Sequence, residues 1–342
     1  MVGLGLEDLT KVRVDHLTLE RVSRYYDHAL NVAEETAEQI AMQTVEGRFA
    51  VTQAIATAYL LKYLIRDPRL FATPLYSNTG GPPSNPHRVI DVIGRDIFYK
   101  LQERLPLSAG RVYVEEDHAW LVYPSTAPDD ELAIAVNIDT LDGTSNIASA
   151  HRDQASAIMI TDLRRNRFLG GSIVSLVDDA LIAIEPDSRQ FFALRERYKK
   201  AHPALVPPRR HDQMLLATLG RHLESVVPFP FNRGQYTPDL LTFGGYGLLK
   251  VATGQITTMF DAAGQVWYEA DMWGLMGEKL GLQVSDFQNN RYDWFKNLRD
   301  SQQPEFDERA SYPIVISHDE RSHWQFLDTY DEVMRNRQLH LN

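Results

Sequence analysis

The chain has 342 residues, 44% hydrophobic and 24% charged, with a formal net charge of −11 and no cysteine. That length carries one large or two ordinary domains, and the composition excludes a disordered or fibrous protein. The acidic balance argues against non-specific binding of nucleic acid or anionic membrane, and the lack of cysteine excludes disulfides, thiolate catalysis and Cys-ligated zinc. Met1 to Asp8 lack a basic start followed by an apolar core, so no signal peptide is expected. No apolar run reaches the ~20 residues of a membrane-spanning helix, and a cytoplasmic protein is expected.

In chain order, residues 17–43 and 49–65 read as two helices, the second with Ala50, Ala54, Ile55, Ala58 and Leu61 on one side. Residues 73–86 hold Gly80, Gly81, Pro82, Pro83 and Pro86 and read as a loop, either a flap or a plain connector. Residues 91–103 read as a helix, 112–114 as a strand that runs into the acidic pair Glu115-Glu116, and 133–138 as a buried strand. Four short apolar segments follow, at 155–162, 168–176, 180–185 and 190–194. They are parted by polar turns, which predicts an antiparallel meander. The stretch 195–211 carries Lys199-Lys200, Pro203 and Pro207-Pro208 and breaks this pattern, so the predicted division is a first domain over 1–198 and a second over 199–342. Beyond it, 247–253 reads as a helix, 256–260 as a strand and 272–280 as a helix starting just after Glu269.

The chemistry concentrates after the buried strand, in Asp139-Thr140-Leu141-Asp142-Gly143-Thr144-Ser145-Asn146. A strand end bearing Asp139 and Asp142 supplies the hard oxygen donors that magnesium takes. Gly143 and the residues after it can turn backbone N–H groups toward an anion. An Asp-x-x-Asp-Gly segment alone is often only a turn with solvated carboxylates. Here it is joined by Glu115-Glu116 and, downstream, by Tyr268-Glu269.

These blocks resemble the sugar-phosphatase superfamily that holds fructose-1,6-bisphosphatase and the inositol monophosphatases. Asp139 to Ser145 matches its signature except at Thr140, where the family carries proline. Val114-Glu115-Glu116-Asp117 and the Tyr268-Glu269, Glu278-Lys279, Gly281 series resemble segments of class I fructose-1,6-bisphosphatase, and Ile90-Asp91-Val92 resembles an upstream acidic segment. The brevity of the meander is more like the inositol monophosphatases.

The resemblance implies a layered α/β (α+β) protein, an αβαβα sandwich, that hydrolyses a phosphate monoester of a small sugar or cyclitol with two or three Mg2+ ions, or Mn2+. The substrate is then of fructose-1,6-bisphosphatase type or of inositol monophosphatase type in a specialised pathway, with a non-catalytic phosphosugar-binding protein as the third reading. It also implies a homo-oligomer, dimer or tetramer. By the same resemblance Glu115, Glu116, Asp139, the Leu141 carbonyl, Asp142 and Glu269 hold metal, with Asp271 the competitor of Glu269 because the inositol monophosphatases use Trp-Asp at this place. Thr144 orients the attacking water, and Asp91 and Glu116 serve in catalysis. Asp142, Gly143, Thr144, Ser145 and Asn146 meet the substrate. Asp261 is a candidate for a sugar hydroxyl, with a surface turn as the plain alternative.

Substrate-gripping residues of the bisphosphatases are not visible: Thr242-Phe243 stands in place of an Arg-Tyr pair, and Ala262-Ala263 in place of a lysine. Arg209, Arg210, Arg233 and Lys250 are the basic residues available to replace them, and Arg233 is the best single candidate.

Overall fold

The computed structural model describes residues 16–65, 78–80, 87–114, 119–128, 132–142, 154–204, 214–218, 236–239, 244–303, 305–307 and 310–341. Contacts divide the chain into two compact units, the first within 1–144 and 154–204 and the second containing 205–342. Among the described residues no helix is long and apolar enough to cross a membrane.

The first unit opens with α1 (His16–Ile40) and α2 (Val45–Ile65), followed by a short antiparallel ribbon of β1 (Asn78–Gly80) with β2 (His87–Arg88), and α3 (Val89–Arg104). Of the ribbon, β1 lies inside the predicted loop and β2 just after it; the loop's remaining residues fall outside the described ones. Eight strands follow: β3 (Gly110–Val114), β4 (Ala119–Tyr123), β5 (Ile134–Asp142), β6 (Ala155–Asp162), β7 (Arg167–Ser175), β8 (Ala180–Glu185), β9 (Ser188–Arg195) and β10 (Lys200–Pro203). They form one sheet in the order β10-β9-β8-β7-β6-β5-β3-β4, antiparallel throughout except for the parallel β3–β5 pair. From β6 to β9 this is the predicted meander, and β10 extends it by one unpredicted strand.

Helix α2 packs on α1, α3 and the strands β6, β7 and β8, and this explains why it is buried on nearly every side rather than along one stripe. Its one long polar side chain in that region, Gln53, donates from Nε2 to the Gly94 carbonyl of α3 at 2.8 Å. Gly94 in turn faces Thr140 of β5: a Cβ at position 94 would collide with Thr140 Oγ1. The glycine is therefore the spacer that lets α3 lie against the strand.

The stretch read as a domain boundary contains β10, which pairs with β9 from Lys200↔Arg195 to Pro203↔Phe192. The first unit consequently runs through Ala204, past the predicted division between 198 and 199. The β9–β10 turn places Glu196, Arg197 and Tyr198 in the left-handed region, with φ of 48°, 45° and 65°, which is unfavourable for side chains of this size. It is held by its contacts. The Tyr198 hydroxyl donates to Asp179 Oδ1 at 2.6 Å, Lys62 pairs with the same carboxylate, and from α1 Thr36 donates to the Tyr198 carbonyl while Gln39 Nε2 donates to the Lys199 carbonyl at 2.9 Å.

The second unit contains β11 (Met214–Thr218), β12 (Tyr236–Asp239), α4 (Gly245–Ala252), β13 (Thr258–Val266), α5 (Trp267–Lys279), β14 (Gln283–Ser285), α6 (Trp294–Asp300), β15 (Ser311–Ser317) and α7 (Glu320–Leu341). The sheet order is β12-β11-β13-β15-β14, with β11 parallel to β12 and β13 and the other pairs antiparallel. Proline is unusual in an inner strand because it lacks the ladder N–H. Pro313 is accommodated here because β13 bulges across from it, its register jumping from Asp261↔Ile314 to Gln265↔Tyr312, while β14 pairs only with residues 315–317. Phe260, Phe287, Val315, Phe326 and Leu327 form a core between this sheet and α7.

His323 of α7 is buried and ties three strands together: its Nε2 meets Ser285 Oγ at 2.8 Å and its Nδ1 meets Ser317 Oγ at 3.1 Å, while Ser317 Oγ meets Thr258 Oγ1 at 3.0 Å. Burial lowers the His323 pKa to about 4. The unfolded chain, with an ordinary histidine, then binds the proton more readily than the folded one. This stability is fully present above about pH 6.5 and is lost as pH falls toward 4, by about 3 kcal/mol in all. Urea unfolding of wild type and His323→Gln between pH 7 and 4 should show a steeper loss in wild type; parallel pH profiles would contradict the burial argument.

Candidate functional site

The signature does not follow a strand; its first four residues are the end of one. β5 extends through Asp142, and along it Asp139 is 1% and Asp142 8% exposed, with Leu141 fully buried between them. Two residues three apart on a regular strand point to opposite faces. The pairing with β6 removes this conflict, because Asp139 lies opposite Ala157 and Asp142 opposite Ala155, so that two residues of β5, Thr140 and Leu141, span the single Ser156. This β-bulge puts both carboxylates on the face shared by Ala155 and Ala157. Alanine opposite each carboxylate leaves volume beside it. Thr140 turns the other way, to Gly94 of α3.

The neighbouring strand completes the level. β3 runs parallel to β5 and ends at Val114, in register with Ile138, the residue immediately before Asp139. Glu115 and Glu116 follow Val114 in the sequence and lie outside the described residues, as do Gly143, Thr144, Ser145, Asn146 and Arg233. Asp91 falls in the first turn of α3, as the predicted helix has it; its side chain is outside the described ones. No group of three or more histidine or carboxylate side chains is assembled among the described residues. The described donors, two carboxylates and the carbonyl chain between them, are hard oxygens, which fits Mg2+ or Mn2+ rather than a soft metal.

Sequence reasoning overlooked one polar group on this face. Asn137, two residues before Asp139, is fully buried, and neither Oδ1 nor Nδ2 has a hydrogen-bond partner among the described residues. An asparagine inside an otherwise apolar run was the available signal.

In the second unit, α5 begins at Trp267, five residues earlier than predicted, so Glu269 lies within its first turn rather than before the helix. Glu269 is partly exposed. Asp271 is fully buried, accepts from Asn297 Nδ2 of α6 at 3.1 Å, and has its pKa raised well above the ordinary carboxylate value by burial. Of the two competitors, Asp271 is engaged inside its own unit and Glu269 is the one that reaches solvent. Asp261 is not on a surface turn: it is fully buried in β13, where Gln265 Nε2 donates to its Oδ2 at 2.7 Å across the bulge. Ala262 sits in that bulge, and Lys250 of α4 lies over the Tyr246 ring at 4.8 Å.

No protein-family model matches the chain, and no curated protein matches it in sequence. Solved structures do match. An inositol monophosphatase from Zymomonas mobilis is 16% identical, covering 83% of this chain and 97% of its own, with a TM-score of 0.52. The extragenic suppressor protein suhB from Bartonella henselae is 16% identical, covering 84% of this chain and 98% of its own, with a TM-score of 0.56. At this identity the likeness establishes the fold: a mixed α+β chain with a large sheet flanked by helices, of the inositol monophosphatase type.

Proposed function

We propose that this protein is a magnesium-dependent phosphatase that hydrolyses the phosphate monoester of a small sugar or cyclitol. The observation that carries this reading is the bulge of β5, which turns Asp139 and Asp142 to one face at the level where β3 hands over to Glu115-Glu116. Oxygen donors at the end of a strand with a parallel neighbour are placed as ligand sites of α/β proteins commonly are. The fold shared with an inositol monophosphatase supports it.

In this reading Asp139, the Leu141 carbonyl, Asp142, Glu115 and Glu269 hold the cations, with Glu116 in or beside them. The chemistry that Mg2+ held by these residues would supply is a lowered pKa for the attacking water and an offset for charge on the ester oxygen. The Thr144 hydroxyl orients that water, and Asp91 or Glu116 takes its proton. Backbone N–H groups from Gly143 to Asn146 receive the phosphate oxygens. The water oxygen bonds to phosphorus as the phosphorus–ester oxygen bond breaks; the leaving oxygen takes up a proton, and the alcohol and inorganic phosphate are released.

Two substrate types fit. The Glu-Glu-Asp and Tyr-Glu blocks favour a bisphosphatase, whereas the structural likeness favours an inositol phosphate. Because Thr242-Phe243 and Ala262-Ala263 stand where bisphosphatases place Arg-Tyr and Lys, discrimination between one and two phosphates should be weak. Each charge-assisted bond to phosphate contributes about 1.5 to 3 kcal/mol, so losing two or three costs roughly a hundredfold or more in preference. Phosphate release from fructose 1,6-bisphosphate, fructose 6-phosphate and inositol 1-phosphate, each with Mg2+, tests this. The expected kcat/KM values lie within about a hundredfold of one another. A preference for the bisphosphate of about a thousandfold would contradict the substrate reading, and no release from any phosphosugar would contradict the phosphatase reading.

A further inference from the structure

Asn137 and Asp139 are two residues apart on β5 and share a face, with Met159 and Ala157 opposite them on β6. A strand advances about 3.3 Å per residue, so their Cα atoms are about 6.6 Å apart, and the two side chains do not hydrogen-bond each other. The separation suits one water, which spans two polar groups with a hydrogen bond to each. Room for it exists because Ala157 lies opposite Asp139 and Ala155 opposite Asp142. The need for it exists because a fully buried amide with neither polar atom partnered among the described residues is costly unless something bonds it.

We propose that Asn137 is a positioning residue that acts through a buried water: its amide N–H donates to the water, and the water donates to the Asp139 carboxylate. Asn137 then fixes the direction of one carboxylate oxygen and leaves the other for a cation. This rests on the reading of Asp139 as a metal ligand, and groups that orient ligands in this way typically change metal affinity about 10- to 100-fold when removed. Leucine at this position would fill the space and expel the water. Serine would keep a hydroxyl on the same face with room for it.

The test is calorimetric titration of the full chain with MgCl2, alongside a high-resolution crystal structure of the magnesium-free wild type. Asn137→Leu should weaken Mg2+ binding about 10- to 100-fold, whereas Asn137→Ser should stay within about threefold of wild type. Should Asn137→Leu fail to fold, Asn137→Ala takes its place with the same expectation. The crystal should show a water within hydrogen-bond distance of both Asn137 Nδ2 and the Asp139 carboxylate. Unchanged affinity in the leucine variant, equal loss in the serine variant, or an Asn137 amide bonded to protein without such a water would each overturn the proposal. A wild type that takes up no Mg2+ but holds the water would sink the phosphatase reading while leaving the positioning of Asp139 standing.

Discussion

Asp142→Asn should lower kcat by about a thousandfold or more while leaving the fold intact. The substitution keeps the shape of the side chain and its place opposite Ala155 but removes a charge from the donor set. A cation that contributes several kcal/mol of transition-state stabilisation, at 1.36 kcal/mol per tenfold, accounts for a loss of that size when it is misplaced or released. The circular dichroism spectrum and urea midpoint should stay close to those of wild type, because the bulge is made by backbone pairing rather than by the carboxylate. Near-normal turnover in this variant would show that the working site lies elsewhere in the chain.

The largest effect on stability is expected at Glu185. Only 4% exposed at the end of β8, its Oε1 accepts from the backbone N–H groups of Gln43 and Thr44 at 2.9 and 2.8 Å and from the Thr44 hydroxyl at 2.8 Å. Thr44 stands just before α2, and its Oγ1 accepts from the Gly47 N–H at 3.0 Å, so one strand carboxylate organises the whole entry of the helix. Gly47 belongs to the same arrangement, since a Cβ there would lie 2.7 Å from Glu185 Oε1. Glu185→Ala leaves these three donors without their acceptor, together with the Ser188 hydroxyl that donates to Oε2 at 3.3 Å. Hydrogen bonds to a charged group contribute about 1.5 to 3 kcal/mol each, but they are lost together, so a total of about 4 kcal/mol is expected. At about 2 to 4 °C per kcal/mol for a domain of this size, Tm should fall by roughly 8 to 16 °C. Glu185→Gln, which keeps an acceptor oxygen, should lose less than half of that. Equal losses in both variants would mean that packing around the side chain, not its hydrogen bonds, holds the helix.

The elements that were legible in the sequence are those whose apolar runs end at strong turn signals. β6 and β8 match their predicted bounds because Arg164 to Asn166 follow the end of β6, while Asp178-Asp179 precede the start of β8 and Pro186-Asp187 follow its end. β10 was hidden because Lys200 and Pro203 read as a linker, although an edge strand tolerates both. β15 was hidden by Pro313, which only the bulge of β13 explains. The start of α5 was misplaced since Val266 precedes it without a side-chain cap, and the aromatic pair Trp267-Tyr268 gives no start signal.

At the site, the spacing of Asp139 and Asp142 was visible but their shared face was not. Spacing alone puts them on opposite sides of a strand, and nothing between them, neither Gly nor Pro, announces a bulge. Thr140, the departure from the signature, became interpretable only against Gly94, a contact between residues 46 positions apart in the chain. Asn137 could be noticed in the sequence, but its burial without a partner is a property of the folded sheet.

The most direct test of the central claim is phosphate release by purified protein before chelation, in excess EDTA, and after Mg2+ is restored. Since the proposed donors are carboxylates that would repel a phosphate when no cation lies between them, release should cease in EDTA and return in full with Mg2+. Undiminished release in excess EDTA would contradict the account, because Asp139 and Asp142 would then have no cation to hold.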